Sequence, residues 1–152
     1  MRHGVSLLVL AALAACGSQS ISTTLSALPD VETHLRRLVT AKDPHAFLVI
    51  TVAGTSHFLQ FSADTNAIEL DFPLVTADQK SREGSVRSFC QGAGFTLRES
   101  TGSDGTRFLD CDLPRDAKLA APAVQRALRE LFGVADSVQL LFEGDKLPPV
   151  AA

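Results

Sequence analysis

The stretch FLVITVAGTSHFLQFSADTNAIELDFPL, residues 47–74, decides the fold. Residues 47–53 are apolar on both faces, as a central strand is. Gly54-Thr55-Ser56 turns the chain. Residues 57–63 form a second strand, with Leu59 and Phe61 on one face and Phe58, Gln60 and Ser62 on the other. Asp64-Thr65-Asn66 turns it again. In residues 67–72 the alternation is complete: Ile68, Leu70 and Phe72 point inward, Glu69 and Asp71 outward. Pro73 ends the strand. Three strands on two short turns predict an antiparallel meander.

On its N-terminal side, residues 29–41 predict a helix. Ser26 is its expected cap, Pro29 is tolerated in its first turn, and Val31, Leu35, Leu38 and Val39 form its apolar stripe. Glu32, Arg36 and Arg37 fall on the other side, and Asp43-Pro44 stops it. On the C-terminal side Thr76 and Gln79 make a capping box for a second helix. Val86, Phe89, Cys90 and Ala93 share its buried face, and Gly84 weakens it near the middle. A hairpin follows: strand 95–99, loop 100–105, strand 106–113, with Leu109, Cys111 and Leu113 on one face. Residues 117–132 predict a third helix closed by Gly133, and 138–142 (VQLLF) either a last short strand or a helical extension. The order is α-β-β-β-α-β-β-α with an optional final strand. The expected fold class is therefore α+β, one antiparallel sheet packed with about three helices in a single domain over residues 29–143. Residues 144–152, with Pro148-Pro149, are expected to be a disordered tail.

The N-terminus supplies an address. Met1-Arg2-His3 precedes an apolar run over residues 5–15 that ends in Leu13-Ala14-Ala15-Cys16. This looks like a bacterial lipoprotein signal peptide, and the last four residues match that family's lipobox. The resemblance implies cleavage of residues 1–15 and lipidation of Cys16, with residues 16–28 as lipidated cysteine and flexible tether. The run is about half of the ~20 residues that span a bilayer. Lipid contributes ~0.8 kcal/mol per buried methylene, so two or more chains hold stably where one holds reversibly. Gly17 after the cysteine favours the outer membrane, facing the periplasm, over the inner. The chain of 152 residues carries 14 basic and 17 acidic residues. Loss of Arg2 with the signal peptide leaves a formal charge of −4. No basic cluster is present, which argues against nucleic acid and against direct binding to anionic lipid. Trp and Tyr are absent and nine Phe carry the aromatic mass, which argues against a stacking platform for sugars.

With Cys16 assigned to lipid, Cys90 and Cys111 remain as an even pair in an oxidising compartment. Both lie on apolar faces, so a disulfide between them is expected; two reduced core cysteines are the other reading. The CxxC spacing of a redox pair is missing. His34, His45 and His57 have no metal-motif spacing, and separate surface histidines are expected. Glu69, Asp71, Asp110 and Asp112 alternate opposite apolar faces. If both strands expose one sheet face, an acidic patch results, although a solvated face is the plainer reading. No serine lies in G-x-S-x-G or S-x-x-K, and no phosphate loop or dinucleotide fingerprint occurs. No catalytic residue, metal ligand or cofactor is assigned.

The meander, the helix ending FCQGAGF, the strands TLRES and RFLDCDLP and the helix ending LRELFGV together resemble the type III secretion chaperone-like fold, especially its TY-Chap or YbjN-type relatives. The resemblance runs from about Val31 to Phe142. It implies protein binding, often as a homodimer, and no shared catalytic residue; the lipid anchor and the Cys90/Cys111 pair depart from it. The expected function is a non-catalytic lipoprotein of the cell envelope that binds an envelope protein. The alternative is a small-ligand or metal-binding periplasmic module, conceivably a weak hydrolase, in which His57 and some of Asp71, Asp110 and Asp112 converge in a cleft.

Overall fold

A computed structural model of the chain describes residues 22–150. The signal segment 1–15, Cys16 and Gly17 lie outside the described residues. Seven strands occur among the described residues: β1 Ser22–Ala27, β2 Phe47–Val52, β3 Phe58–Ala63, β4 Ala67–Pro73, β5 Thr96–Thr101, β6 Arg107–Pro114 and β7 Gln139–Asp145. The helices are α1 Val31–Thr40, preceded by a 3-10 turn over Leu28–Asp30, then α2 Ala77–Ser81, α3 Glu83–Gly92 and α4 Ala117–Phe132. The fold is α+β, as expected. All seven strands join one antiparallel sheet in the order β1-β7-β2-β3-β4-β6-β5.

The meander β2-β3-β4 forms as its alternation requires, with Leu48 opposite Phe61 and Phe61 opposite Leu70. β6 then pairs with β4, placing Cys111 beside Leu70 and Leu109 beside Phe72. The apolar residues of β2, β3, β4, β6 and β7 share one face and form a single core with Val31, Leu35 and Leu38 of α1, Val86 and Phe89 of α3, and Val124 and Leu128 of α4. Among the described residues, α1, α3 and α4 all pack on that side. No described helix is long and apolar enough to cross a membrane.

Local signals explain the helix ends. The Thr76/Gln79 capping box is present in both directions, with Gln79 N–H donating to Thr76 Oγ1 at 3.1 Å and Thr76 N–H to Gln79 Oε1 at 3.0 Å. Asp116 caps α4, accepting from the N–H of Lys118 at 2.8 Å. Gly133 closes α4 with φ 64°, a left-handed conformation that glycine adopts without a Cβ clash.

Several expectations need correction. The second helix is two: Arg82 interrupts it with ψ −2°, and Gly84 lies in the first turn of the second part. Ser26 does not cap α1; its hydroxyl donates to the carboxylate of Asp30, which also accepts from Ala27 N–H at 3.2 Å. The tether 16–28 is not flexible throughout, because residues 22–27 are β1, and β1 pairs with β7 along its whole length from Ser22↔Gly144 to Ala27↔Gln139. The tail 144–152 is not disordered at its start. Gly144 and Asp145 belong to β7, and the chain then folds back so that Leu147 packs on the core. A Cβ on Gly144 would lie 3.0 Å from Leu147 Cγ and 3.3 Å from Phe47 O. Arg37, expected on the exposed side of α1, is buried, and its Nε donates to Pro148 O at 2.6 Å.

The cysteine pair meets as expected. Cys90 of α3 and Cys111 of β6 are both fully buried and lie at disulfide distance, with Cα atoms 6.1 Å apart. A bridge over 21 residues of separation is worth roughly 3 kcal/mol in the chain-entropy model.

Two predictions follow from this packing. Intact mass of unreduced, alkylated protein should show no label on Cys90 or Cys111, and reduction should lower the stability to urea by roughly 3 kcal/mol; two alkylated thiols without reductant would refute the bridge. Gly144→Val should cost about 2 kcal/mol or more in the same unfolding experiment, through overpacking against Leu147 and the Phe47 carbonyl, and a neutral result would show that the tail does not lie on β7.

Candidate functional site

The strand registers put a second set of residues on the face opposite the core. Glu69 lies directly across from Asp112 and Asp71 across from Asp110. Arg98 of β5 lies across from Asp110. On the other half of the sheet Glu143 is paired with Val49, and Asp145 with Phe47. This face thus carries the carboxylates Glu69, Asp71, Asp110, Asp112, Glu143 and Asp145, with Arg98 as the one basic residue among its described strand positions. The expected acidic patch forms, but it is more than a solvated surface. Asp110, Gln60, Phe47, Val49 and Phe108 are buried on it, and Glu69, Asp71 and Asp112 are half-buried.

At its centre, carboxylate oxygens of Glu69, Asp71 and Asp110 all lie within 4.8 Å of one another. Three like charges so close, partly removed from water, cannot all stay ionised. Burial first, then the charge of Glu69, pushes the Asp71 carboxyl up to about 9, so it is protonated at neutral pH and hydrogen-bonds to Glu69. Ser62 Oγ donates to Asp71 Oδ2 at 3.3 Å. Glu69 and Asp110 are also raised, in each case chiefly by burial. Arg98 offsets part of the charge. It bridges the strands, with one Nη 2.8 Å from Asp112 Oδ1 and also paired to Glu69, and these carboxylates hold its guanidinium above its ordinary value. The oxygen-only donor set of Glu69, Asp71 and Asp110 is chemically suited to a hard cation such as Ca²⁺ or Mg²⁺, which would replace the shared proton.

The histidines do not join this cluster. His57 stacks on Phe132 of α4 with centroids 5.0 Å apart, and its Nδ1 lies 3.5 Å from Asp78 Oδ2 of α2. It therefore sits with the helices, and the expected convergence of His57 with Asp71, Asp110 and Asp112 does not occur. His45 is exposed, and its backbone N–H donates to Asp43. His34 was expected at the surface and is instead buried. It follows Val31 by one turn on the core side of α1, stacks on Phe142 at 4.0 Å, and lies 3.2 Å from Arg37 Nη1. Burial, followed by the Arg37 charge, holds its imidazole below its ordinary value, as a neutral ring.

Sequence reasoning identified Glu69, Asp71, Asp110 and Asp112. It missed Arg98, Ser62 and Gln60 as their neighbours. Gln60 and Ser62 were legible as members of the outward face of β3; the approach of Arg98 depends on the β5–β6 register, for which the sequence carries no separate signal. No family model, curated protein or solved structure matches the chain.

Asp71 gives a test with a definite sign. The folded chain keeps its proton up to about pH 9, whereas an unfolded carboxyl releases it near its ordinary value of 3.8. Between those limits the folded state binds the extra proton, so this group's contribution is fully present at low pH and declines as pH rises toward about 9. Asp71→Asn keeps the shape and the donated hydrogen bond without the titration. It should raise Tm at pH 8 by about 3–6 °C, the shift that ~1 kcal/mol produces in a domain of this size, and change it little at pH 4. A lower Tm at pH 8, or an unchanged pH slope, would show that Asp71 is ionised.

Proposed function

We propose that this protein is a lipid-anchored component of the bacterial cell envelope that acts without catalysis, by binding another protein through the helix-free face of its sheet. The observation that carries the reading is that face itself. One side of the sheet is sealed by α1, α3 and α4, while the other combines Phe47, Val49, Phe58 and Phe108 with six carboxylates and one arginine. Aromatic and aliphatic side chains framed by charge are the composition of a recognition surface. The lipobox sequence ending in Cys16 supports the address, with the outer membrane facing the periplasm favoured by Gly17. The resemblance to secretion chaperone-like domains supports protein binding or self-association. The partner these features suit is an envelope protein or a second copy of the chain.

A second reading has one specific observation in its favour. The convergence of Glu69, Asp71 and Asp110 within 4.8 Å favours a cation on the same face. It is narrower than the alternative expected from the sequence, which required His57 to converge with these carboxylates; His57 is instead paired with Asp78 on the helical side.

The deciding experiment is site-specific photocrosslinking of the full-length protein in intact cells. Crosslinkers at Thr51 and Thr96 on the helix-free face should yield one reproducible product, and a crosslinker at Leu119, exposed on α4, should not. The product should disappear with Cys16→Ser. Equal yields from the two sides, or none from the face, would overturn the reading and move attention to a calcium or magnesium titration of the carboxylates.

A further inference from the structure

The two edges of the sheet are unlike. β5, at one edge, carries Arg98 and Glu99, and both are tied into ion pairs: Arg98 with Asp112 and Glu69, Glu99 with Arg87 and Arg107. Charged side chains on an edge strand discourage a further strand from adding to it. β1, at the other edge, carries no charge, no proline and no glycine; its sequence is STTLSA, and Leu25 is 55% exposed. An uncharged, unprotected edge is a liability unless something covers it.

Position along the chain identifies the cover. Since β1 begins at Ser22, only residues 17–21 separate it from Cys16. A fully extended chain advances at most ~3.6 Å per residue, so Ser22 cannot lie more than about 22 Å from the acylated cysteine. Six inter-strand spacings of ~4.8 Å place β5 about 29 Å from β1. A tether of 13 residues could hold β1 more than twice as far away; one of five keeps its Ser22 end within about 22 Å of the anchor.

We propose that the β1 edge, at its Ser22 end, is the surface that lies against the lipid bilayer, with the β5 edge farthest from it. This rests on the reading of Cys16 as the lipidated residue. The hydroxyls of Thr23 and Thr24 and the exposed Leu25 suit a headgroup boundary, where polar and apolar groups mix. The helix-free face then stands across the membrane plane, open sideways to a neighbour in the same membrane, and the β5–β6 hairpin projects away from the lipid.

The test uses the acylated full-length protein, purified from membranes and reconstituted in phosphatidylethanolamine–phosphatidylglycerol vesicles that carry a headgroup-linked energy acceptor. A donor is placed on Thr24→Cys in β1 or on Asp104→Cys in the β5–β6 loop, with Thr23→Cys and Ser103→Cys as a second pair in case either variant misfolds. Labelling of the unsubstituted protein is the blank. Transfer from the β1 positions should be at least twofold that from the loop positions and independent of protein density. Equal transfer, or stronger transfer from the loop, overturns the orientation. Donors at Thr24 that couple to those of other copies instead of to lipid overturn it too, and assign the edge to a second copy of the chain. Absence of the acyl mass on Cys16 removes the anchor reading and the orientation with it, whereas acylated protein with equal transfer leaves the anchor standing and removes the orientation alone.

Discussion

The pairing of β7 on both its sides holds the two ends of the chain in one body. Among the described residues β1 pairs only with β7, and β7 pairs on its other side with β2, so this strand joins the meander through a segment more than a hundred residues later. Leu140 and Phe142 drive this insertion by burying completely in the core. The turn beyond them secures it: Leu147 folds over Gly144, and the Pro148 carbonyl accepts from the buried Arg37 of α1. A buried guanidinium without a partner would be costly, so the backbone of the tail and the helix fix each other's position.

The two faces of the sheet follow opposite rules. On the core side the apolar alternation of five strands meets three helices, and the Cys90–Cys111 contact braces α3 to β6 from within. On the other side carboxylates are set opposite one another across β4 and β6, a placement that destabilises a sheet unless protons or counter-charges intervene. Here both do. Asp71 keeps a proton, and Arg98 spans Asp112 and Glu69.

Much of the fold was legible because alternation and turn chemistry act locally. The meander, the Thr76 capping box, residues 117–132 and the Gly133 stop agree with the structure almost residue by residue. The exceptions depend on partners distant in the chain. STTLSA has the composition of a linker and becomes a strand because β7 lies beside it. In β7 itself, Glu143-Gly144-Asp145 has the composition of a turn, yet two neighbouring strands keep it extended. Arg37 falls opposite the apolar stripe on a helical wheel, yet the tail bonds its guanidinium at Pro148, and His34 is buried because Phe142 of the distant β7 stacks on it. The acidic site divides in the same way: the outward carboxylates are visible as alternation, whereas the convergence of three of them requires the β4–β6 register.

The connection between the two ends also sets an order of events. When the chain emerges from the ribosome, β1 comes early, and the strand that must hold it comes last. Between residues 27 and 139 lie about 6–22 s of synthesis at ~5–20 residues per second. During that time the meander, hairpin and helices can form while β1 has no ladder to join and β2 has an open edge. Leu140 and Phe142 complete the sheet between β1 and β2, and they are among the last residues of the domain to be made. Until then β1 and β2 each have an unpaired edge where β7 will lie.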